Sequence, residues 1–198
     1  KLLSTDRYPR SIEDLRKKDY PADKIALASP LFGTTATHAA ALYAALGEEE
    51  GRAYYRDLQA RGLRIVDGNS TVRDLVASGQ VMFGLVDTDD AAVALKRGDP
   101  VAIVFPDQEQ GGLGALSIPN TVALVKGSPH PAEGKRLVDF LLSESVEQRL
   151  RDEGWLYRST RGANKSEVSQ VSTMKTSPGE IFAMLKICRS DMTSLFLR

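Results

Sequence analysis

The chain has 198 residues, in which 26 Lys plus Arg balance 26 Asp plus Glu, with 42% apolar and 26% charged positions. Balanced charge leaves no basic field for nucleic acid and no acidic tail, and no stretch approaches the roughly 20 apolar residues of a membrane helix. A single cysteine, Cys188, excludes an internal disulfide or cysteine-cluster metal site, and two histidines, His38 and His130, give triads and histidine-rich metal sites little to draw on.

Short β-rich runs alternate with helical ones, which predicts an α/β fold with a mainly parallel sheet flanked by helices. Ile25 to Ala28 reads as a strand, followed by a turn from Pro30 to Thr34. Thr35 to Leu46 is an alanine-rich helix stopped by Gly47, and Glu48 to Arg61 a second one stopped by Gly62. The neighbours Tyr54 and Tyr55 point about 100° apart on that helix and read as core and rim. Arg64 to Val66 is a short strand leading to Asp67-Gly68-Asn69-Ser70, where Asn69 or Ser70 is placed to cap a helix from Thr71 to Ser78. A strand from Val81 to Val86, an acidic turn, a helix to Arg97 and a strand from Val101 to Phe105 complete this half.

The second half changes character. Two apolar runs, Gly114 to Ile118 and Asn120 to Val125, flank Pro119, and helical patterns cover Pro131 to Leu142 and Glu144 to Arg151. Trp155 and Tyr157 read as packing at a lobe boundary, and Arg158 to Thr176 as a polar surface crossing. Ser177-Pro178-Gly179-Glu180 is a capping box with proline at the first helical position, predicting a last helix to about Leu197.

In an open parallel sheet, ligands bind outside the carboxyl ends of the strands. Three loops here leave a strand and enter a helix, at Gly33-Thr34-Thr35, at Asn69-Ser70 and at Asp87-Thr88-Asp89-Asp90. The first two offer hydroxyls, an amide and free backbone N–H groups, suited to an anion; the third offers negative charge. One Asp in the first turn of a helix is a stabilising cap and needs no function, whereas three in four positions repel one another. No nucleophile elbow, phosphate-binding Walker loop or HExxH pattern is present, and a hydrolase using Asp87 and Asp90 finds no second supporting feature.

The segments "IALASPLFGTTATHAAALYAALGEE", "IVDGNSTVRDLVASGQVMFGLVDTDDA", "GLGALSIPNTVALVKGSPHPAEGKRLVDFLLSESVEQRL" and "MKTSPGEIFAMLKICRSDMTSLFLR" together resemble the extracellular solute-binding proteins of ABC importers, in their ferric-iron-binding branch. The resemblance implies a periplasmic-binding-protein type II fold, two lobes closing on a ligand and presenting it to a membrane permease. Family members are about half as long again, and the part without a counterpart here is N-terminal, in lobe one. The implied organisation is an approach segment (1–23), the α/β core of lobe two (24–112), a crossover with lobe-one helices (113–157), and a surface crossing with a C-terminal helix returning to lobe two (158–198).

Carried over by position, the resemblance assigns Gly33 and Thr34 to the loop that holds the anion accompanying iron, and Asn69 to an asparagine touching the same anion; Thr35 and Ser70 lie beside them. Asp87 falls where the family has another anion-contacting asparagine. Asp89 and Asp90 replace the adjacent tyrosines that coordinate iron, so phenolate ligation is lost at these positions while hard carboxylate oxygens are gained.

The expected function is therefore binding rather than catalysis: a periplasmic or membrane-anchored extracellular receptor for iron or another hard cation, with a phosphate- or carbonate-like anion, working with an ABC permease and forming no stable oligomer. Two other readings stay open at this point. A cationic organic solute such as a polyamine satisfies the aspartates equally well, and the effector-sensing domain of a transcription regulator shares the fold. The chain begins at Lys1 without methionine, which suggests an upstream segment.

Overall fold

The structure, a computed structural model, describes residues 2–156, 159, 161 and 171–197. The chain divides into two units, Lys1–Ser117 with Val171–Arg198, and Ile118–Gln170.

The first unit is built on three parallel strands, β1 (Ile25–Ala28), β2 (Arg64–Val66) and β3 (Phe83–Leu85), in the order β2-β1-β3. Four helices connect or follow them: α1 (Gly33–Leu46), α2 (Glu48–Arg61), α3 (Asn69–Ala77) and α4 (Thr88–Lys96). β1 is central, and all four of its residues are buried. Because side chains alternate along a strand, Ile25 and Leu27 join one core, while Ala26 and Ala28 join another with Val72, Leu75 and Val81. Gly84 has to be glycine for this second layer to close: a Cβ there would lie 2.6 Å from the Ala26 carbonyl oxygen and closer still to Val72.

The larger core packs α1 against α2 and against the last helix of the chain, which follows the second unit. Tyr54 and Tyr55 both belong to it, at 2% and 1% exposure, with rings edge to face at 5.2 Å. The expectation of one core and one rim tyrosine is thus corrected. α2 lies between the α1 layer and the N-terminal segment, so both directions are interior, and the Tyr54 hydroxyl donates to the Ile12 carbonyl. Gly47, with φ +89°, ends α1 and opens α2, a backbone conformation that side chains rarely adopt.

The N-terminal segment forms three short 3₁₀ turns, Thr5–Arg7, Ile12–Leu15 and Ala22–Lys24. Ser11 caps the second and also donates to Asp107, whose positive φ of 58° is held by that contact, by the Ile12 N–H, and by its own N–H donating to Arg10.

Several expectations change: β3 covers Phe83–Leu85 rather than Val81 to Val86, and α1 starts at Gly33 rather than Thr35. The helix expected from Thr71 begins at Asn69, with Gly68 as its cap, because Asn69 turns its side chain away from its own helix. The run Val101 to Phe105 is not part of the sheet; its residues alternate half-buried and exposed, but an apolar groove separates it from β3. Apolar alternation supplies the shape of a strand and not its hydrogen-bonding neighbour.

In the second unit, α5 (Pro131–Leu141) and α6 (Glu144–Asp152) are short amphipathic helices. Trp155 is 53% exposed in this chain; its neighbour Tyr157 and most of the polar segment up to Gln170 lie outside the described residues. The last helix, α7 (Pro178–Phe196), starts at the Ser177–Glu180 capping box with Pro178 at its first position, and returns to the first unit. There Asp191 accepts from the Tyr43 hydroxyl at 2.9 Å and from Arg52 at 2.8 Å, joining α7 to both α1 and α2.

Candidate functional site

Parallel strands place their carboxyl ends on one edge of the sheet. The loop after β1 opens into α1 at Gly33, the loop after β2 into α3 at Asn69, and the loop after β3 into α4 at Thr88. The side chains meet there. Asp87 accepts at its Oδ2 from the Thr34 hydroxyl at 2.7 Å and from the Asn69 amide at 2.9 Å, and the same amide lies 3.1 Å from Thr34 Oγ1.

Asp87 occupies the N-cap position of α4, yet its side chain makes no capping bond. The carboxylate instead faces two donors that belong to other helices. A cap contributes about 1 kcal/mol and first-turn acidic charge about 0.3–1 kcal/mol. Against this, Asp87, Asp89 and Asp90 each offer an oxygen within 4.8 Å of the others, all half-buried. Two unit charges that close repel by about 3 kcal/mol at an effective dielectric of about 20, less where water screens them. The cluster therefore holds more negative charge than α4 needs for its own stability.

One cation inside the protein meets part of that charge. Arg73, with a side chain only 11% exposed, donates to Asp90 at 2.9 Å and to Asp74 at 2.8 Å, and Arg97 reaches Asp74 at 3.2 Å. Burial, followed by the charge of Asp89, raises the Asp90 carboxyl above the ordinary carboxylate range; Arg73 opposes the shift and Asp87 adds to it. Arg73 escaped the sequence reading, although its spacing was a signal: it lies four residues after Asn69, one turn along the same face of α3.

The remaining candidates divide. Gly33 is the first residue of α1, with φ +65° and open space around it. Thr35 is buried beneath the loop, and Ser70 is exposed; no described hydrogen bond joins either side chain to Asp87. His38, one turn further along α1, keeps its Nδ1 buried without a partner, and burial lowers its pKa from the ordinary 6.5 to about 4. Among the described residues, Asp87, Asp89 and Asp90 form the one group of three or more carboxylate, His or Cys ligands able to meet on a metal ion.

With this geometry in view, comparison with known proteins is informative. The sequence profile of a family described as bacterial extracellular solute-binding protein matches residues 4–156. The chain belongs to this family. Among curated relatives, this solute-binding protein is 29% identical over 157 residues to a Salmonella typhimurium protein provisionally named as 2-aminoethylphosphonate-binding and periplasmic. The match covers 78% of this chain and 46% of that relative, so the chain spans about half the length of the curated protein. Among solved structures, apo ferric ion-binding protein A of Pasteurella haemolytica superposes with a TM-score of 0.81 at 18% identity, covering 97% of this chain and 64% of that one. The periplasmic binding protein AfuA of Actinobacillus pleuropneumoniae, solved with fructose-6-phosphate, gives 0.74 at 19% identity, covering 94% and 61%. These likenesses establish the periplasmic-binding-protein type II fold.

Proposed function

We propose that this chain forms much of the substrate-binding component of an ABC importer, acting in the periplasm with a membrane permease, and that its ligand presents positive charge to Asp87, Asp89 and Asp90. The observation that carries this reading is the seat of Asp87. Its carboxylate lies on the Thr34 and Asn69 donors, where sequence similarity to the ferric branch leads one to expect an external anion. Asp87 supplies that negative charge itself, so the ligand needs to bring no separate phosphate- or carbonate-like anion to these donors. The surplus charge of Asp89 and Asp90 is then left for a hard cation such as ferric iron, or for an ammonium group.

A second reading has its own support. 2-Aminoethylphosphonate, the solute in the name of the Salmonella relative, carries both an ammonium and a phosphonate. Its ammonium suits the aspartates, while its phosphonate would need donors outside the Thr34–Asn69 pair.

The test is a thermal-shift titration of the complete protein with ferric citrate, putrescine, 2-aminoethylphosphonate, inorganic phosphate and fructose 6-phosphate. Stabilisation by one of the first three, abolished by Asp89→Asn/Asp90→Asn, is expected. Stabilisation by inorganic phosphate or fructose 6-phosphate alone, unchanged in the double variant, would overturn the cation-bearing ligand.

A further inference from the structure

The chain contains a single Asp-Gly dipeptide, Asp67-Gly68, and no Asn-Gly. It lies where β2 ends and α3 begins. Asp67 is exposed at a bend of the chain, and no described hydrogen bond uses the Gly68 N–H. At every other aspartate, a side chain on the following residue screens the backbone nitrogen from the carboxyl. At Gly68 there is no such side chain, and a Cβ placed there would meet nothing within 4 Å.

Both flanks of the dipeptide are held. The Val66 carbonyl accepts from the Ser29 N–H at 2.8 Å, beside β1. The Gly68 carbonyl accepts from the Thr71 N–H at 3.1 Å and the Val72 N–H at 3.2 Å, fixing the start of α3. Asn69 follows directly, with its amide 2.9 Å from Asp87 Oδ2. The position of that amide therefore depends on the length of chain between Val66 and Gly68.

We infer that Asp67 is a site of spontaneous covalent modification, isomerising through a cyclic imide to an isoaspartyl linkage that draws Asn69 away from Asp87. The Gly68 nitrogen attacks Asp67 Cγ. A C–N bond forms, a C–O bond breaks, and the hydroxyl of the protonated carboxyl leaves with the amide hydrogen as water. Water then adds to one of the two imide carbonyls. Opening at Cγ restores aspartate; opening at the backbone carbonyl carbon leaves the chain running through Cβ and Cγ, with a free carboxylate on Cα. One water leaves and one enters, so the mass is unchanged and no oxidant or reductant takes part. The isomerised main chain is longer by one carbon, about 1.5 Å. With Val66 held in the sheet, the surplus displaces the start of α3, and a hydrogen bond of 2.9 Å does not survive a shift of that size. The Thr34–Asp87 bond involves neither segment and stays.

The test holds the complete protein for weeks at neutral pH and physiological temperature in water enriched in heavy oxygen, then maps it by digestion and mass spectrometry. Heavy oxygen is expected at Asp67, partly in a separately eluting peptide whose backbone fragments are those of isoaspartate. Asp67→Glu should abolish the label, since its imide needs a larger ring. Gly68→Ala, whose Cβ meets open space, should slow labelling severalfold. In the isomerised fraction, separated by ion exchange, the Asn69 side-chain amide signals should move from hydrogen-bonded shifts to those of a free amide. No label at Asp67, under conditions in which a peptide spanning it is labelled, would overturn the modification site. Unchanged Asn69 signals in the isomerised fraction would overturn its link to Asp87.

Discussion

Asn69 Nδ2 reaches Asp87 Oδ2 at 2.9 Å and Thr34 Oγ1 at 3.1 Å, so a single amide ties the start of α3 to the starts of α1 and α4. The three strand-to-helix loops are thereby fixed to one another by side chains that a merely structural turn has no need to point inward.

Asp89→Asn combined with Asp90→Asn should separate site from scaffold. As first-turn residues alone, the pair would change stability by no more than about 1 kcal/mol, since lost dipole energy and relieved repulsion oppose each other. On the proposed reading the empty protein loses in addition the Arg73–Asp90 ion pair, while affinity for the stabilising cation or ammonium ligand falls at least tenfold, about 1.4 kcal/mol. Calorimetric titration of both proteins measures the difference. An unchanged affinity would return the two residues to a capping role.

The site's pH dependence should follow Asp90. Its folded pKa is raised, chiefly by burial and next by the charge of Asp89. A raised carboxyl contributes stability that is present below the ordinary carboxylate range and is lost as pH rises through the folded value. For a positively charged ligand the direction reverses: affinity should weaken on acidification at a pH above that of an ordinary carboxylate. Asp89→Asn should move the Asp90 titration downward, as read by carboxyl carbon chemical shifts.

His38 predicts a separate acid sensitivity. Its folded pKa of about 4 lies below the ordinary 6.5, so the unfolded chain binds the extra proton between those values. Stability contributed by the neutral ring is complete above about pH 6.5 and is lost as pH falls towards 4. Melting temperatures measured across that window should fall less steeply for His38→Leu than for the parent protein.

Gly51 should be intolerant of even one methyl group. A Cβ there would lie 2.5 Å from Tyr43 Cδ2 and 3.0 Å from the Tyr43 Cα, between α1 and α2 where the ring is fully buried. Gly51→Ala is therefore expected to destabilise by about 1–3 kcal/mol, although alanine favours the helix, because overpacking outweighs propensity. Urea denaturation gives the figure directly.

The sequence was most legible where the physics is local. The Ser177–Glu180 capping box, the glycine stops at 47 and 62 and the strand at Ile25–Ala28 appear where spacing and propensity put them. Parallel topology likewise shows why three distant loops share an edge. What spacing could not reveal is direction: Asn69 looked like a cap for its own helix and serves Asp87 instead, while Arg73 took its role from a partner on another helix. The Val101–Phe105 run failed as a strand for a related reason, since pairing depends on a neighbour elsewhere in space.

The clamp at Asp191 bears on how the molecule is made. Tyr43 and Asp191 are 148 positions apart, and α7 places Cys188 and Met192 among the innermost residues beside α1 and α2. Contacts of such long range must wait for loop closure and form late. A chain under synthesis thus carries α1 and α2 with one apolar side bare until α7 has been made. Apolar surface left uncovered during that interval favours self-association. Truncation within α7 would leave the same surface bare permanently.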